Sequence, residues 1–281
     1  MFAADLLQSR VVLVTGGGTG LGRAMAERAA HYGAKVAVLG RTAATLEATV
    51  TAIREAGGTA TFATCDVRDP AQVKAAFDAI EGELGPIDTL VNNAAGNFLC
   101  ASEDLTPNAF NSVVQIVLYG TFHCTQEFGR RRIAAGGGGN IISIVTTYAW
   151  MGSSFVLPSA CAKAGVLAMT KSLAVEWATY GIRSNAIAPG PIPTEGAFSR
   201  LMAGNLEEEA KNRVPMKRFG KPEELADLAM YLMADGSAYV NGDCITIDGG
   251  EWLLSGQEFS GYTQHNRTAI KQVLNAMRPK R

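Results

Sequence analysis

At 281 residues, 47% of them hydrophobic and 18% charged, the chain has the makings of one large α/β domain, or two small ones, with a real core. A formal net charge of −1 supplies no overall field for a nucleic acid or an anionic membrane, and no apolar run reaches transmembrane length. The five cysteines are odd in number and scattered without a C-x-x-C pair, which suits reduced thiols in a cytosol better than disulfides, zinc or another metal site.

In chain order, the β-branched run Val11 to Val14 predicts a first strand, and Thr15-Gly16-Gly17-Gly18-Thr19-Gly20-Leu21-Gly22 predicts a tight turn into a helix. That strand begins by about Arg10, too early for a signal peptide, so a soluble cytoplasmic protein is expected. Lys35 to Gly40 reads as a second strand, Thr42 to Ala56 as a helix stopped by Gly57-Gly58, and Thr59 to Thr64 as a third strand. Asp69 and Pro70 open the next helix as N-cap and first turn. Further strands are expected at Thr89 to Asn92, Asn140 to Val145, Arg183 to Ala188 and Cys244 to Ile247. Helices are expected over 109–134, Ser159 to Tyr180 and Pro222 to Met233, with an irregular excursion over 191–215 and a basic tail from Ser255 that holds a short helix. Strands alternating with helices, each strand a continuous apolar run, predict a doubly wound parallel sheet of the Rossmann type, about seven strands with helices on both faces. No linker divides the chain, so one domain with a core over about 10–250 is expected.

Ligands of such sheets bind beyond the carboxyl ends of the strands, where the loops after Val14, Gly40, Thr64, Asn92, Val145 and Ala188 converge. A glycine-rich turn lets the backbone approach a pyrophosphate, and the helix N-terminus behind it favours an anion. The second strand ends in Gly40-Arg41-Thr42, a cation and a hydroxyl with no acid. Arg41 suits a 2′-phosphate by charge-assisted bonding, which predicts NADPH over NADH. For Asp66 two readings stand, an acceptor for an adenine amino group or a turn former.

Thr15-Gly-x-x-x-Gly-x-Gly22, Asp66-Val67, Asn92-Asn93-Ala94-Ala95-Gly96, Lys163, Pro189-Gly190 and Asp248-Gly249-Gly250 together resemble the short-chain dehydrogenase/reductase family over residues 11 to 250. The resemblance implies cofactor contacts at Gly16, Thr19, Gly20, Leu21, Gly22, Asp66, Val67, Asn93, Ala94, Ala95, Lys163, Pro189, Gly190 and Ile192, and a homotetramer. The family's proton donor is a Tyr four residues before the Lys, with a Ser thirteen before it; here Ser159 and Thr146 stand at those positions. A serine hydroxyl is a poor proton donor to an alkoxide at neutral pH, which argues against ordinary carbonyl reduction.

Asn92 to Phe98, Tyr148 with Ser159-x-x-x-Lys163, and Pro189 to Ile192 followed by Gly196-Ala197-Phe198-Ser199-Arg200 are similar to the 2,4-dienoyl-CoA reductase branch, which has Ser in place of the usual Tyr. The implied activity is NADPH-dependent reduction of a 2,4-dienoyl-CoA to a 3-enoyl-CoA in the β-oxidation of unsaturated acids, on an acyl-CoA thioester. Hydride addition to a conjugated thioester leaves charge on the thioester oxygen, which needs placed donors more than a full proton transfer. Tyr148 is the candidate donor, Ser159 its assistant, and Lys163, one turn further along the helix, the ribose-binding cation.

Alternatives stand beside these roles: Ser159 as an N-cap, Tyr148 as a core or interface aromatic, Lys163 as a surface lysine. Trp150, Phe155 and Phe198 admit an acyl slot or ordinary packing, and Arg130-Arg131-Arg132 admits CoA phosphates or a solvated face. The family's helix Asn falls on Val117, and the branch's on Tyr119, so neither is present. Two other functions therefore remain open, a reductase of another enoyl or 3-ketoacyl thioester and an inactive NADP-binding protein.

Overall fold

Apolar runs that need cover on both faces form a single sheet of seven parallel strands. The computed structural model describes residues 2–194, 206–256 and 260–277. The strands are β1 (Val11–Thr15), β2 (Lys35–Gly40), β3 (Thr59–Thr64), β4 (Thr89–Asn92), β5 (Gly139–Ile144), β6 (Ile182–Pro189) and β7 (Cys244–Ile247), in spatial order β3-β2-β1-β4-β5-β6-β7. The order reverses between β1 and β4, where Val14 pairs with Val91 on one side and Val38 on the other. A crevice for a ligand opens at such a switch point.

The two-residue period of the strands splits the core. Val12, Val14, Val36 and Val38 pack under α1 (Gly20–His31), α2 (Ala43–Glu55) and a late helix (Pro222–Met233). Val11, Leu13, Ala37 and Leu39 face the other way, under α3 (Pro70–Leu84) and a helix over Gly120–Ala135. A third cluster joins Val145, Ala186 and Ala188 to Val113, Val117, Ala162 and Val166, beside the carboxyl-terminal ends of β5 and β6.

Asp69 caps α3 as expected, its carboxylate accepting from the Ala71 and Gln72 amides with Pro70 in the first turn. The helix expected over 109–134 differs. It starts at Pro107, where Thr106 Oγ1 accepts from the Ala109 amide at 3.2 Å. It then runs as α4 (Pro107–Val114), a π-type turn (Gln115–Tyr119) and α5 (Gly120–Ala135), ending at Gly136 with φ 63°. The wider turn falls on the two positions that lack the family's Asn. After a short helix α6 (Tyr148–Met151), α7 spans Leu157–Glu176 rather than 159–180; Pro158 fits its first turn and residues 178–180 form a separate 3₁₀ turn.

The excursion expected over 191–215 contains a helix, α8 (Leu206–Arg213); Gly196 to Arg200, Phe198 among them, lie outside the described residues. The remaining helices are α9 (Pro222–Met233), α10 (Glu251–Gly256) and α11 (Arg267–Ala276). Among the described residues no helix is long and apolar enough to cross a membrane.

Candidate active site

The glycine turn after β1 is held from beneath by β4's continuation. Thr15 Oγ1 accepts the Asn93 and Ala94 amides, both at 3.0 Å, and Asn93 Nδ2 donates to the Thr15 and Gly16 carbonyls at 3.1 and 3.3 Å. Gly16 has φ +66°, and a Cβ there would press on Ala94 Cα and Asn93 Nδ2 at 3.0 Å. At Gly22 a Cβ would lie 2.2 Å from the Gly16 carbonyl oxygen, so the turn and α1 close only with glycine at both places. Thr19, the N-cap of α1, makes no side-chain cap bond, and no acid sits in the first turn. The amides of that helix start therefore suit an anionic group, and the cradle fits a dinucleotide pyrophosphate.

Beside it a cleft of about 580 Å³ is lined by Gly16, Thr19, Gly20, Leu21, Arg41, Asp66, Val67, Asn93, Ala94 and Ala95. These ten residues of the expected cofactor set are thus brought together. Gly22 lies behind the turn in a packing position. Pro189 and Gly190 begin the next loop along the sheet, and Ile192 lines a smaller neighbouring cleft with Asp248 and Gly249. Asp66 forms the turn of its second reading and stands in the cleft lining. Its carboxylate accepts the Arg68 amide at 3.0 Å and is gripped by the Arg68 guanidinium at 2.5–2.9 Å, while the residue lines the cleft. The Arg68 side chain holds the carboxyl below the usual carboxylate range, with Arg41 adding to the effect.

The catalytic candidates meet at the ends of β5, α6 and α7. Tyr148 opens α6, and its hydroxyl lies 3.0 Å from Ser159 Oγ. Ser159 is 2% exposed and belongs to the first turns of α7, whose N-cap is Val156, so it is no cap. Lys163 is 6% exposed, and its ammonium donates to the Ile144 carbonyl; it is no surface lysine. Burial pushes its pKa down to about 8. Thr146 Oγ1, at the family's Ser position, is buried without a hydrogen-bond partner among the described residues. Val117 is buried in the third core cluster and Tyr119 is 52% exposed, so neither presents an amide where relatives carry Asn.

The arginine run divides. Arg131 is spent on Asp78, Glu81 and Glu127 at 2.6–2.7 Å, and Arg132 binds the Gly137 and Gly138 carbonyls, which removes both as phosphate ligands. Sequence reasoning missed Thr15, because its role as a double acceptor depends on β1 and β4 being neighbours. It missed Arg68 as well, although the triplet Asp66-Val67-Arg68 held the signal for a local carboxylate–guanidinium pair.

A doubly wound sheet with a glycine cradle at its switch point and a buried lysine one turn after a hydroxyl defines a dinucleotide-dependent oxidoreductase of the Rossmann class. The profile of a family described as "Enoyl-(Acyl carrier protein) reductase" matches residues 16–251. The chain belongs to the short-chain dehydrogenase/reductase family. An uncharacterized oxidoreductase of Caenorhabditis elegans is 53% identical over 250 residues, covering 87% of this chain and 80% of that protein. A C. elegans protein named a probable (3E)-enoyl-CoA-producing 2,4-dienoyl-CoA reductase is 46% identical, covering 87% and 81%. A Bacillus subtilis protein named a probable (2E)-enoyl-CoA-producing 2,4-dienoyl-CoA reductase is 44% identical, covering 88% and 98%.

Among solved structures, a Bacillus anthracis short chain dehydrogenase superposes with TM-score 0.82 at 47% identity, covering 88% of this chain and 98% of that one. A Burkholderia cenocepacia gluconate 5-dehydrogenase in complex with NADP and tartrate gives TM-score 0.84 at 31% identity, covering 90% and 99%. This chain, then, is a nicotinamide-dinucleotide oxidoreductase.

Proposed function

We propose that the protein reduces 2,4-dienoyl-CoA thioesters with NADPH, giving a 3-enoyl-CoA. The observation that carries this reading is the Tyr148–Ser159 hydroxyl pair, with Ser159 one helical turn ahead of buried Lys163. The bound dinucleotide supplies a hydride to the far carbon of the diene. The electron pair moves through the conjugated system onto the thioester oxygen, and a proton from solvent completes the product at the α-carbon.

The chain's own residues manage that charge. When Ser159 donates to the Tyr148 oxygen, the phenol's own proton is left for the thioester oxygen, a placed donor of the oxyanion-hole kind. Lys163 anchors to the Ile144 carbonyl through one proton and keeps two more for ribose hydroxyls. Arg41, beside Thr42 in the cleft, receives the 2′-phosphate and gives the preference for NADPH. The names of the two dienoyl-CoA reductase relatives differ in product; the 3-enoyl outcome is favoured because α-protonation needs no acid at the far end of the chain. A homotetramer in the cytoplasm belongs to the same reading, and light scattering with cell fractionation tests that part.

The experiment is NADPH consumption with 2,4-hexadienoyl-CoA, a 2-enoyl-CoA and a 3-ketoacyl ester side by side, with the product's double bond located by NMR. Turnover of the dienoyl thioester to the 3-enoyl product is expected. Turnover confined to the keto ester, or tight NADPH binding without any turnover, overturns the reading.

A further inference from the structure

We propose that Trp150 and Trp252 form an apolar platform at the mouth of the site, on which an acyl chain lies beyond its conjugated carbons; this rests on the acyl-thioester reading above. The two indoles meet edge to face, with centroids 5.6 Å apart and planes at 83°. They come from two different helices. Trp150 sits on α6, two residues after Tyr148. Trp252 sits in the first turn of α10, whose start is fixed by Asp248: its carboxylate accepts the Gly250 and Trp252 amides, each at 2.8 Å.

Asp248 also backs Gly190, where a Cβ would stand 2.6 Å from the aspartate's own Cβ. The pair therefore spans from the element that carries the thioester donor to the Pro189-Gly190 loop. Trp150 is 38% exposed despite this contact, and Met151 next to it is exposed as well. Phe155 lies in the turn between α6 and α7. It is 60% exposed with φ +64°, a backbone region that costs a bulky residue energy, and its carbonyl is fixed by the Cys100 amide at 2.9 Å. An exposed indole on the short helix that carries the proposed donor, packed edge to face on a second, half-buried indole, offers a surface for an apolar ligand. A six-carbon acyl group ends near the reacting atoms, whereas a longer chain continues over the indoles and removes their surface from water.

The test is calorimetric titration of the full chain with hexanoyl-CoA and dodecanoyl-CoA, in the wild type and in Trp150→Ala and Trp252→Ala, with kcat/KM for 2,4-hexadienoyl- and 2,4-decadienoyl-CoA measured in parallel. The wild type is expected to prefer the longer chain, and each alanine variant to lose at least tenfold of that preference. An unchanged ratio in both variants overturns the platform. Trp150→Phe and Trp252→Phe, which keep an aromatic face, guard against misfolding and are expected to retain most of the preference; their losing it as fully as alanine contradicts the proposal too. Chain-length-dependent binding without dienoyl reduction would sink the reaction and leave the platform standing, while dienoyl reduction indifferent to both tryptophans would do the reverse.

Discussion

The hydroxyls of Tyr148 and Ser159 lie 3.0 Å apart, joining α6 to α7 across eleven residues of sequence. In the proposed function the pair takes the place of the single phenol that the family carries one turn before the lysine, with a phenol from another helix seconded by a serine. Deleting the second hydroxyl in Ser159→Ala removes one hydrogen bond, worth about 1–1.5 kcal/mol. Steady-state kinetics on a dienoyl thioester should show kcat reduced roughly tenfold; a change under threefold would mean that Ser159 only packs.

Lys163 is expected to set the alkaline side of the pH profile. Burial holds it near 8 in the free enzyme, so kcat/KM should fall through that pH as the ammonium is lost, and Lys163→Met should abolish both the limb and most of the activity. The same shift has a stability sign. Between about pH 8 and the ordinary lysine value of about 10.4, the unfolded chain binds more protons than the folded one. This group's contribution to stability therefore rises with pH across that window. Comparing thermal midpoints of the wild type and Lys163→Met from pH 7.5 to 10 (about the reach of the window) reads it; a wild-type-minus-variant difference that falls with pH would contradict the burial.

Arg41 lines the cleft beside Asp66, whose carboxylate is already held by Arg68. Arg41→Ala should weaken NADPH by roughly tenfold or more, the order of a charge-assisted phosphate contact, and NADH far less. Fluorescence titration with both nucleotides decides it, and equal losses would remove the phosphate role.

The thiols should divide by burial. Cys161 is exposed on α7, whereas burial raises Cys65 to about 11 and pushes Cys124 up further. A disulfide reagent at pH 8 should modify Cys161 within minutes and reach Cys65 and Cys124 only on unfolding, as peptide mapping can show. Rapid labelling of Cys124 in the native protein would contradict the packing of α5 against the sheet.

Much of this architecture was legible before the structure. The expected strands match the observed ones to within a residue or so; β1 and β2 are apolar runs because both their faces are buried, whereas the edge strand β3 alternates with threonines. Asp69-Pro70 and Gly136 marked helix ends through chemistry local to a few residues. The π-type turn at Gln115–Tyr119 was invisible, since nothing in Gln115-Ile116-Val117-Leu118-Tyr119 breaks an α-helical pattern. In the site, the cofactor cradle was readable because it depends on glycines close in sequence. The resemblance put Tyr148 and Ser159 in one site, but their hydrogen bond was not read, because it depends on how the loop between α6 and α7 folds back. The Trp150–Trp252 contact joins the segments that follow β5 and β7, far apart in sequence, and periodicity carries no signal for it.

The central claim is that the Tyr148 phenol carries the charge of a thioester oxygen, and single-turnover reduction of 2,4-hexadienoyl-CoA by Tyr148→Phe loaded with NADPH tests it most directly. A loss of roughly 10²–10³ in the rate of the chemical step, with nucleotide affinity preserved, is the predicted result. A rate within threefold of wild type would contradict the account.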